Sequence, residues 1–372
     1  MSKITLKNRR DMLHAVVMAG GSGTRFWPRS TEDHPKQFLN IFGDRTMLQS
    51  TVDRIESLVP AERVWIITND KYVDLVQEQL PNVPTQNIVG EPVGRNTAPC
   101  VAAAATLIHD RDPDATMVVL PADHLISDTE TFLSILESAE SKASSDNSLV
   151  TIGIKPDRPE TGYGYIEFDE QHSDTFKNHN VKRVKQFREK PDRETAETFI
   201  NAGNFLWNSG MFVWQANTIL NEFAQHLPDI AEEINKLQSS LNEKKQKDSI
   251  DAFYHACPSI SIDYGIMEQS DSVFVVPGSF GWNDVGSWRA VYDLRPKDKD
   301  GNVIESEHAT LAHAKNNFIQ SSSGKMIALI GVENLAVVET DTAIMVCNLD
   351  DSQGIKDVVN YMREKDHLKK FV

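Results

Sequence analysis

Residues 16–36 read VVMAGGSGTRFWPRSTEDHPK, in which three glycines, Gly20, Gly21 and Gly23, end a short apolar run. A backbone without side chains lets amide groups approach an anion closely. Arg25 and Lys36 bring two cations to the same loop, with Thr24 between the last glycine and the arginine. Amides and two cations together suit a polyphosphate. Spacing excludes two common phosphate loops. No Gly-Lys-Ser/Thr follows Gly23, as a P-loop requires. Phe26 stands where a dinucleotide fingerprint counted from Gly21 would place its third glycine. Pro28 and Pro35 also oppose a helix starting directly after the glycines.

Two aspartates extend the pattern. Asp123 lies in LPADH, just after an apolar strand-like run, and Asp284 lies in the glycine- and tryptophan-rich segment GWNDVGSW. Alone, an aspartate after a strand reads as a turn former or helix cap. Beside a polyphosphate loop, two carboxylates with phosphate oxygens and water make a normal Mg2+ site, since this ion takes few protein ligands.

The loop resembles the signature GxGTRxxPxS...PK of the sugar-nucleotide pyrophosphorylases, the sugar-1-phosphate nucleotidylyltransferases. Phe26, Trp27, Pro28 and Ser30 resemble the mannose-1-phosphate guanylyltransferase branch of that family, whereas glucose-1-phosphate branches carry Leu-x-Pro-x-Thr there. The resemblance runs from residue 14 to the C-terminus with its motifs in order. It implies that mannose 1-phosphate attacks the α-phosphorus of GTP, giving GDP-mannose and pyrophosphate, with Mg2+ held by Asp123 and Asp284. The nucleophile is then an ionised phosphate oxygen and needs no general base. Catalysis of that kind is positional and electrostatic. The resemblance assigns Arg25 to the β- and γ-phosphates, Lys36 to charge at the reacting centre, and Lys190, in FREKPD, to the sugar phosphate. It places Glu189 on a sugar hydroxyl, joined by Gly162 and Tyr163 in TGYGYI, Asn208 in WNSGMF and Asp263 in IDYGIME. The choice of mannose over its epimer rests on the resemblance, because one or two hydrogen bonds decide it.

Base recognition falls in residues 90–98, GEPVGRNTA. Guanine offers an acceptor at O6 and donors at N1 and N2, which polar side chains and amides discriminate from adenine. Glu91, Arg95, Asn96 and Thr97 are the candidates, with backbone from Gly20 and Asp123 near the nucleotide phosphates. Asn96 and Thr97 equally read as the cap of the following helix, and both readings hold together. Trp207, Trp214, Trp282 and Trp288 read as core or site walls.

Strand-like and helix-like runs alternate through the first half and position these residues. Strands are expected at 15–18, 64–68, 117–120 and 149–154, with helices at 71–80, 98–109 and 131–143. Thr46 and Gln49 form a capping box ahead of a helix whose apolar face is Leu48, Val52, Ile55 and Val59. The fold class is α/β, a Rossmann-like mixed but mainly parallel sheet flanked by helices, with ligands at the carboxyl ends of its strands. After residue 161 the pattern mixes, with short strands at 163–168 and 211–214 and a polar stretch at 237–251 that reads as a solvated helix end and loop. Residues 296–302, PKDKDGN, read as a linker to β-like pieces at 317–320, 326–330, 336–339 and 343–347 and a helix at 354–365. The resemblance implies an abbreviated left-handed β-helix there, although no hexapeptide period is visible. The expected division is an N-terminal extension over 1–13, a catalytic domain over 14–295 and a small domain over 296–372.

Composition bounds the rest. The chain has 372 residues and a net charge of -16, which argues against non-specific nucleic-acid or membrane binding. Cys100, Cys257 and Cys347 are scattered and odd in number, so neither a zinc site nor a disulfide framework follows. The N-terminal segment has no apolar signal core, and no run is long enough to span a membrane, so a cytoplasmic protein is expected. The small C-terminal domain is the expected surface of a homodimer. The chain ends at Val372 without the cupin-like domain of bifunctional relatives, so isomerase activity is not expected. Rival readings are a nucleotidyltransferase for another sugar 1-phosphate, of heptose or glucose type, and a catalytically silent nucleotide-sugar sensor. A nicotinamide dehydrogenase is disfavoured by the glycine spacing.

Overall fold

The run LHAVVMA forms strand β1 (Leu13–Ala19) and VWIITN forms β2 (Val64–Asn69), both almost wholly buried, as apolar runs in a sheet covered on two faces must be. The computed structural model describes residues 12–21, 23–241 and 246–372. The expected extension over 1–13 lies outside them except for Met12 and Leu13, and Leu13 already belongs to β1. The chain divides into two compact units, one of residues 1–20, 51–122 and 126–282, the other of residues 21–50, 123–125 and 283–372.

The first unit is built on a nine-stranded sheet. With β3 (Ile88–Glu91), β4 (Thr116–Pro121), β6 (Leu149–Ile154), β7 (Gly164–Phe176), β8 (His179–Glu189), β9 (Phe205–Gln215) and β10 (Val273–Gly278), its order is β3-β2-β1-β4-β9-β6-β10-β8-β7. Strands β8 and β9 run against all the others, so the sheet is mixed and mostly parallel, as expected. The short β5 (Leu125–Ile126) and β11 (Trp282–Asn283) stand apart from it. The expected strand at 163–168 is the start of the much longer β7, and that at 211–214 is the end of β9.

Helix α1 (Met47–Ile55) opens on the expected capping box. The Thr46 amide donates to Gln49 Oε1 at 3.1 Å, and the Gln49 amide to Thr46 Oγ1 at 3.2 Å. Helix α2 (Val73–Gln79) is preceded by a tighter 3-10 turn, so it is shorter than the expected 71–80. Helix α3 (Thr97–Arg111) is buried at every residue from Ala98 to Ile108 and packs against α6 (Ala216–His226) and α7 (Pro228–Ser240). Its alanines explain the close approach. Helices α4 (Thr129–Asp146), α5 (Arg193–Ala202) and α8 (Gln246–Ala256) complete this unit. The polar stretch 237–251, expected as a solvated helix end and loop, holds the end of α7 and the start of α8.

The second unit holds α9 (Trp288–Leu294) and a coil of short strands. Strands β12 (Val303–Glu305), β14 (Phe318–Ser321) and β16 (Leu335–Glu339) stack in parallel, with β17 (Ile344–Asn348) antiparallel at the edge. Strand β13 (Ala309–Ala312) pairs in parallel with β15 (Ile327–Ile330). This is a β-helix-like stack. Val303 pairs with Phe318 and Phe318 with Ala336, so one coil advances 15 residues and the next 18. That irregular step is why no hexapeptide period shows. Within the expected linker 296–302, residues 296–300 are exposed, whereas Asn302 is 2% exposed and is bonded into the first coil. Its Nδ2 donates to the Ala314 carbonyl at 3.0 Å, and Asn317 Nδ2 donates to its Oδ1 at 3.0 Å. Buried asparagines thus satisfy turn backbone from coil to coil. Helix α10 (Ser352–Arg363) follows, burying Ile355, Val359 and Met362. Among the described residues no helix is long and apolar enough to cross a membrane.

Candidate active site

The glycine loop enters the second unit as a single 3-10 turn, Thr24–Phe26, and no α-helix follows until α1. Gly23 takes φ 55°, the left-handed region that glycine adopts without strain. A Cβ there would stand 2.5 Å from Lys36 Cβ, so the glycine also permits the lysine's approach. Ser30 Oγ donates to the Gly23 carbonyl at 2.6 Å and Gln37 Nε2 to the Gly21 carbonyl at 3.0 Å, bracing the loop from two sides. Phe26 anchors it, fully buried and edge-on to Trp288 at 5.0 Å between ring centroids.

This loop lines a cavity of about 350 Å3 with Asp123, His124, Asp284, Val285, Gly286 and Lys356. Four residues singled out by chemistry, Arg25, Lys36, Asp123 and Asp284, therefore meet there, together with Gly23 and Thr24. Lys36 is only 5% exposed, and its Nζ donates to Asp123 Oδ2 at 2.9 Å and to the Asp284 carbonyl at 2.6 Å. Burial by itself would raise the Asp123 carboxyl, but the charges of Lys36 and His124 and the Lys36 hydrogen bond outweigh it. The group is held below the usual carboxylate range and is ionised. Val285 sits at φ 48°, a costly conformation for a β-branched residue. Asn283 Oδ1 accepts from its amide at 2.7 Å and helps hold it, so backbone strain coincides with the carbonyl that Lys36 grips.

The donor set fits a hard divalent ion. Asp123 keeps about a third of its side-chain surface exposed, and both aspartates line one cavity. Among the described residues no group of three or more histidine, cysteine or acid side chains would cage a metal alone. A divalent ion held there would take the rest of its shell from substrate oxygens and water.

The base candidates fall in the first unit. Glu91 ends β3 and is buried, with Oε2 only 3.2 Å from where a Gly20 Cβ would stand. Asn96, at φ 67°, accepts the Thr97 amide at 2.9 Å and caps α3. Thr97 Oγ1 accepts the Ile262 amide at 2.9 Å, and Arg95 donates to the Tyr254 and His255 carbonyls. The capping reading of Asn96 is therefore realised, and the side chains of Thr97 and Arg95 brace the segment behind it.

Burial pushes the Glu91 carboxyl up to about 7 from 4.5, partly offset by an interaction with the Tyr254 hydroxyl. A raised carboxyl contributes stability that is full below about pH 4.5 and lost as pH rises through about 7. Glu91→Gln is always neutral and should remove this dependence. It should gain up to about 3 kcal/mol over the parent at pH 8, and little at pH 4.5. Urea unfolding at the two pH values checks this, and an equal difference at both would count against it.

The sugar candidates also lie in the first unit. Asn208 Nδ2 donates to Asp263 Oδ1 at 2.7 Å, and Asn208 Oδ1 accepts the Gly210 amide at 3.1 Å. Asp263 opens a single π-helical turn, Asp263–Met267, the kind of irregularity that re-aims a side chain. Its carboxyl is raised, first by burial and then by the Glu189 charge, with Asn208 and Lys190 opposing. Glu189 ends β8, and Lys190 Nζ pairs with its Oε1 at 3.0 Å while remaining 64% exposed. Gly162 donates its amide to Glu160 Oε1, and the Tyr163 ring stands edge-on to Trp207 and Trp282. Trp207, Trp214 and Trp288 are core, as expected, and Trp282 is half-buried and edge-on to Tyr163.

Two residues escaped the sequence reading. A Cβ on Gly164 would come within 2.4 Å of Glu189 Oε2 and 3.4 Å of Asn208 Cβ, so Gly164, more than Gly162, makes room for these side chains. The second glycine of TGYGYI was the available signal. Lys356 lines the glycine-loop cavity from α10, and nothing in its sequence neighbourhood marks it.

A family model described as nucleotidyl transferase matches residues 14–301, and one described as a MannoseP isomerase/GMP-like beta-helix domain matches residues 307–362. The chain belongs to the nucleotidyl transferase family and is an enzyme of that class. A mannose-1-phosphate guanylyltransferase of Klebsiella pneumoniae is 42% identical over 359 residues, covering 95% of this chain and 74% of the relative. The alginate biosynthesis protein AlgA of Pseudomonas aeruginosa is 40% identical over 347 residues, 92% of this chain and 71% of its own. A crystal structure from Thermus thermophilus, described as a mannose-1-phosphate geranyltransferase, superposes with a TM-score of 0.84 at 31% identity. It covers 95% of this chain and 99% of that one. Within its family the chain falls among the mannose-1-phosphate guanylyltransferases.

Proposed function

We propose that the protein transfers GMP from GTP to α-D-mannose 1-phosphate with Mg2+, giving GDP-mannose and pyrophosphate by direct in-line displacement. The observation that carries this reading is one cavity lined by Arg25, Lys36, Asp123 and Asp284 beside the glycine loop. A phosphate oxygen of mannose 1-phosphate forms the new bond to the α-phosphorus. The bond from that phosphorus to the α–β bridging oxygen breaks, and pyrophosphate leaves with the electron pair. No proton has to move, so the reaction asks for neutralised charge and alignment. Arg25 takes the β- and γ-phosphates and Lys36 the charge at the reacting centre, with amides of Gly21, Gly23 and Thr24 on the triphosphate. Asp123 and Asp284 would hold Mg2+, which when bound supplies further neutralisation of phosphate oxygens.

Gly20, Glu91, Asn96 and Thr97 frame guanine, the last two through the backbone they hold. Gly162, Tyr163, Glu189, Asn208 and Asp263 receive the hexose, and Lys190 its phosphate. The catalytic segment spans 14–295 and the small β-rich segment 296–372. Exposed Ile330, Ile344 and Val346 on β15 and β17 support a homodimer formed through that small segment, in a protein placed by this reading in the cytoplasm.

Lys190→Ala should raise the KM for mannose 1-phosphate roughly tenfold or more while moving that for GTP little, since a charge-assisted hydrogen bond of about 1.5–3 kcal/mol is lost. Equal effects on both substrates would remove Lys190 from the sugar phosphate. The reaction itself is tested by pyrophosphate release with Mg2+, mannose 1-phosphate and each of GTP, ATP, UTP and dTTP. Release favouring GTP, with GDP-mannose as product, is expected. No release from protein that still binds GTP would overturn the reading in favour of another sugar phosphate or a sensing role.

A further inference from the structure

Among the cations lining the phosphate-loop cavity, Lys36 is already committed. Its ammonium is buried against Asp123 and the Asp284 carbonyl, so much of its charge is spent within the chain. Against the two carboxylates of Asp123 and Asp284, the cavity must receive a triphosphate of larger negative charge. A further cation is present. Lys356, from α10, lines the same cavity and makes no ion pair among the described residues.

Its placement is built, not incidental. Helix α10 packs against the Thr24–Phe26 turn that carries Arg25. Ile355, the residue before Lys356, is buried in one apolar cluster with Phe26, Val285 and Trp288. Asp351 caps the helix by accepting the Gly354 amide at 2.8 Å, which fixes its first turn. Trp27 Nε1 donates to the Phe371 carbonyl at 2.7 Å and ties the loop to the C-terminal end of the chain. The next acid on the helix, Asp357, is engaged by Gln353 Nε2 at 2.9 Å. Lys356 thus stands at the cavity on a rigid element, with no ion-pair partner among the described residues.

We propose that Lys356 is a phosphate-binding residue that grips the pyrophosphate end of the nucleoside triphosphate. The segment matched as a β-helix domain then contributes directly to the nucleotidyl-transfer site. This assignment rests on the nucleotidyl-transfer reading given above. It also accounts for the anchoring of α10 on the glycine loop, which a purely structural appendage would not need.

The test compares the full-length parent with Lys356→Met, which keeps the apolar stem, and Lys356→Arg, which keeps the charge. Calorimetry with Mg2+ reads the affinity for inorganic pyrophosphate and for GTP, and steady-state kinetics reads both KM values. Lys356→Met should weaken pyrophosphate and GTP roughly tenfold, as loss of one charge-assisted hydrogen bond would. The KM for mannose 1-phosphate should stay within about twofold, and Lys356→Arg should restore most of the loss. Unchanged pyrophosphate and GTP affinity in Lys356→Met overturns the assignment, while turnover by the parent leaves the reaction standing. Equal weakening toward mannose 1-phosphate, or no rescue by arginine, overturns it as well by pointing to a structural role. If the parent binds pyrophosphate and forms no GDP-mannose, the reaction fails and Lys356 is still decided by the affinities. A parent that binds neither pyrophosphate nor GTP overturns both.

Discussion

Asp123→Asn should fold normally yet release pyrophosphate roughly 10²–10³-fold more slowly, the scale on which one electrostatic group acts at a site of developing charge. The substitution leaves an oxygen that can accept from Lys36, so the 2.9 Å bond has a replacement. What disappears is the negative charge. Lys36 is nearly buried and loses its counter-ion, which costs about 1–3 kcal/mol of stability. The proposed ion loses one of its two anionic ligands, so the Mg2+ concentration for half-maximal rate should also rise. Turnover against Mg2+, with a thermal melt beside it, separates these effects. Undiminished turnover at low Mg2+ would take Asp123 out of the site. Asp284→Asn should behave similarly, and the double variant should lose less than the product of the two, since they serve one ion.

Gly23→Ala should cost turnover on a comparable scale, roughly 10², through geometry alone. The backbone there has φ 55°, which a Cβ disfavours by roughly 1–2 kcal/mol. The new carbon would also meet Lys36 Cβ at 2.5 Å and the Lys36 amide nitrogen at 2.8 Å. Part of that contact is backbone, so a rotamer change cannot relieve it. Either the loop opens or the 3-10 turn that begins at Lys36 retreats, and the bonds to Asp123 and the Asp284 carbonyl lengthen. Gly21→Ala is the internal comparison. A Cβ at Gly21 meets nothing within 4 Å, so that variant should keep activity within a few-fold. Steady-state rates for the pair decide the matter, and equal losses in both would mean that the loop tolerates no side chain for some other reason.

How much of this was legible depended on range along the chain. Capping by Thr46 with Gln49 and by Asn96 is local, and both appear where the residue types put them. Buried strands such as VWIITN and LVTIGI were legible because both faces are covered and the whole run is apolar. The first coil of the C-terminal stack was not. Polar residues 296–302 look like a linker, yet Asn302 is buried because the next coil supplies Asn317 to pair with it. Helix α2 began later than its periodicity suggested, because Asn69 closes a tighter turn first by accepting the Lys71 amide.

Arg25, Lys36, Asp123 and Asp284, which line one cavity, were singled out by sequence, because glycine spacing, paired cations and aspartates in turns have meanings that depend on chemistry rather than on contacts. The α/β class followed from hydrophobic periodicity for the same reason. Tertiary structure decided what those groups do to one another. It buried Lys36 between Asp123 and the Asp284 carbonyl, 87 and 248 residues away in the chain. It turned Thr97 and Arg95 toward backbone groups of distant segments. It made Gly164 the neighbour of Glu189, and it carried Lys356 into the cavity. Periodicity and motif spacing report a residue's own type and its near neighbours. Burial, charge compensation and the partner of a buried polar atom are set by residues far along the chain, and only the packed fold brings those together.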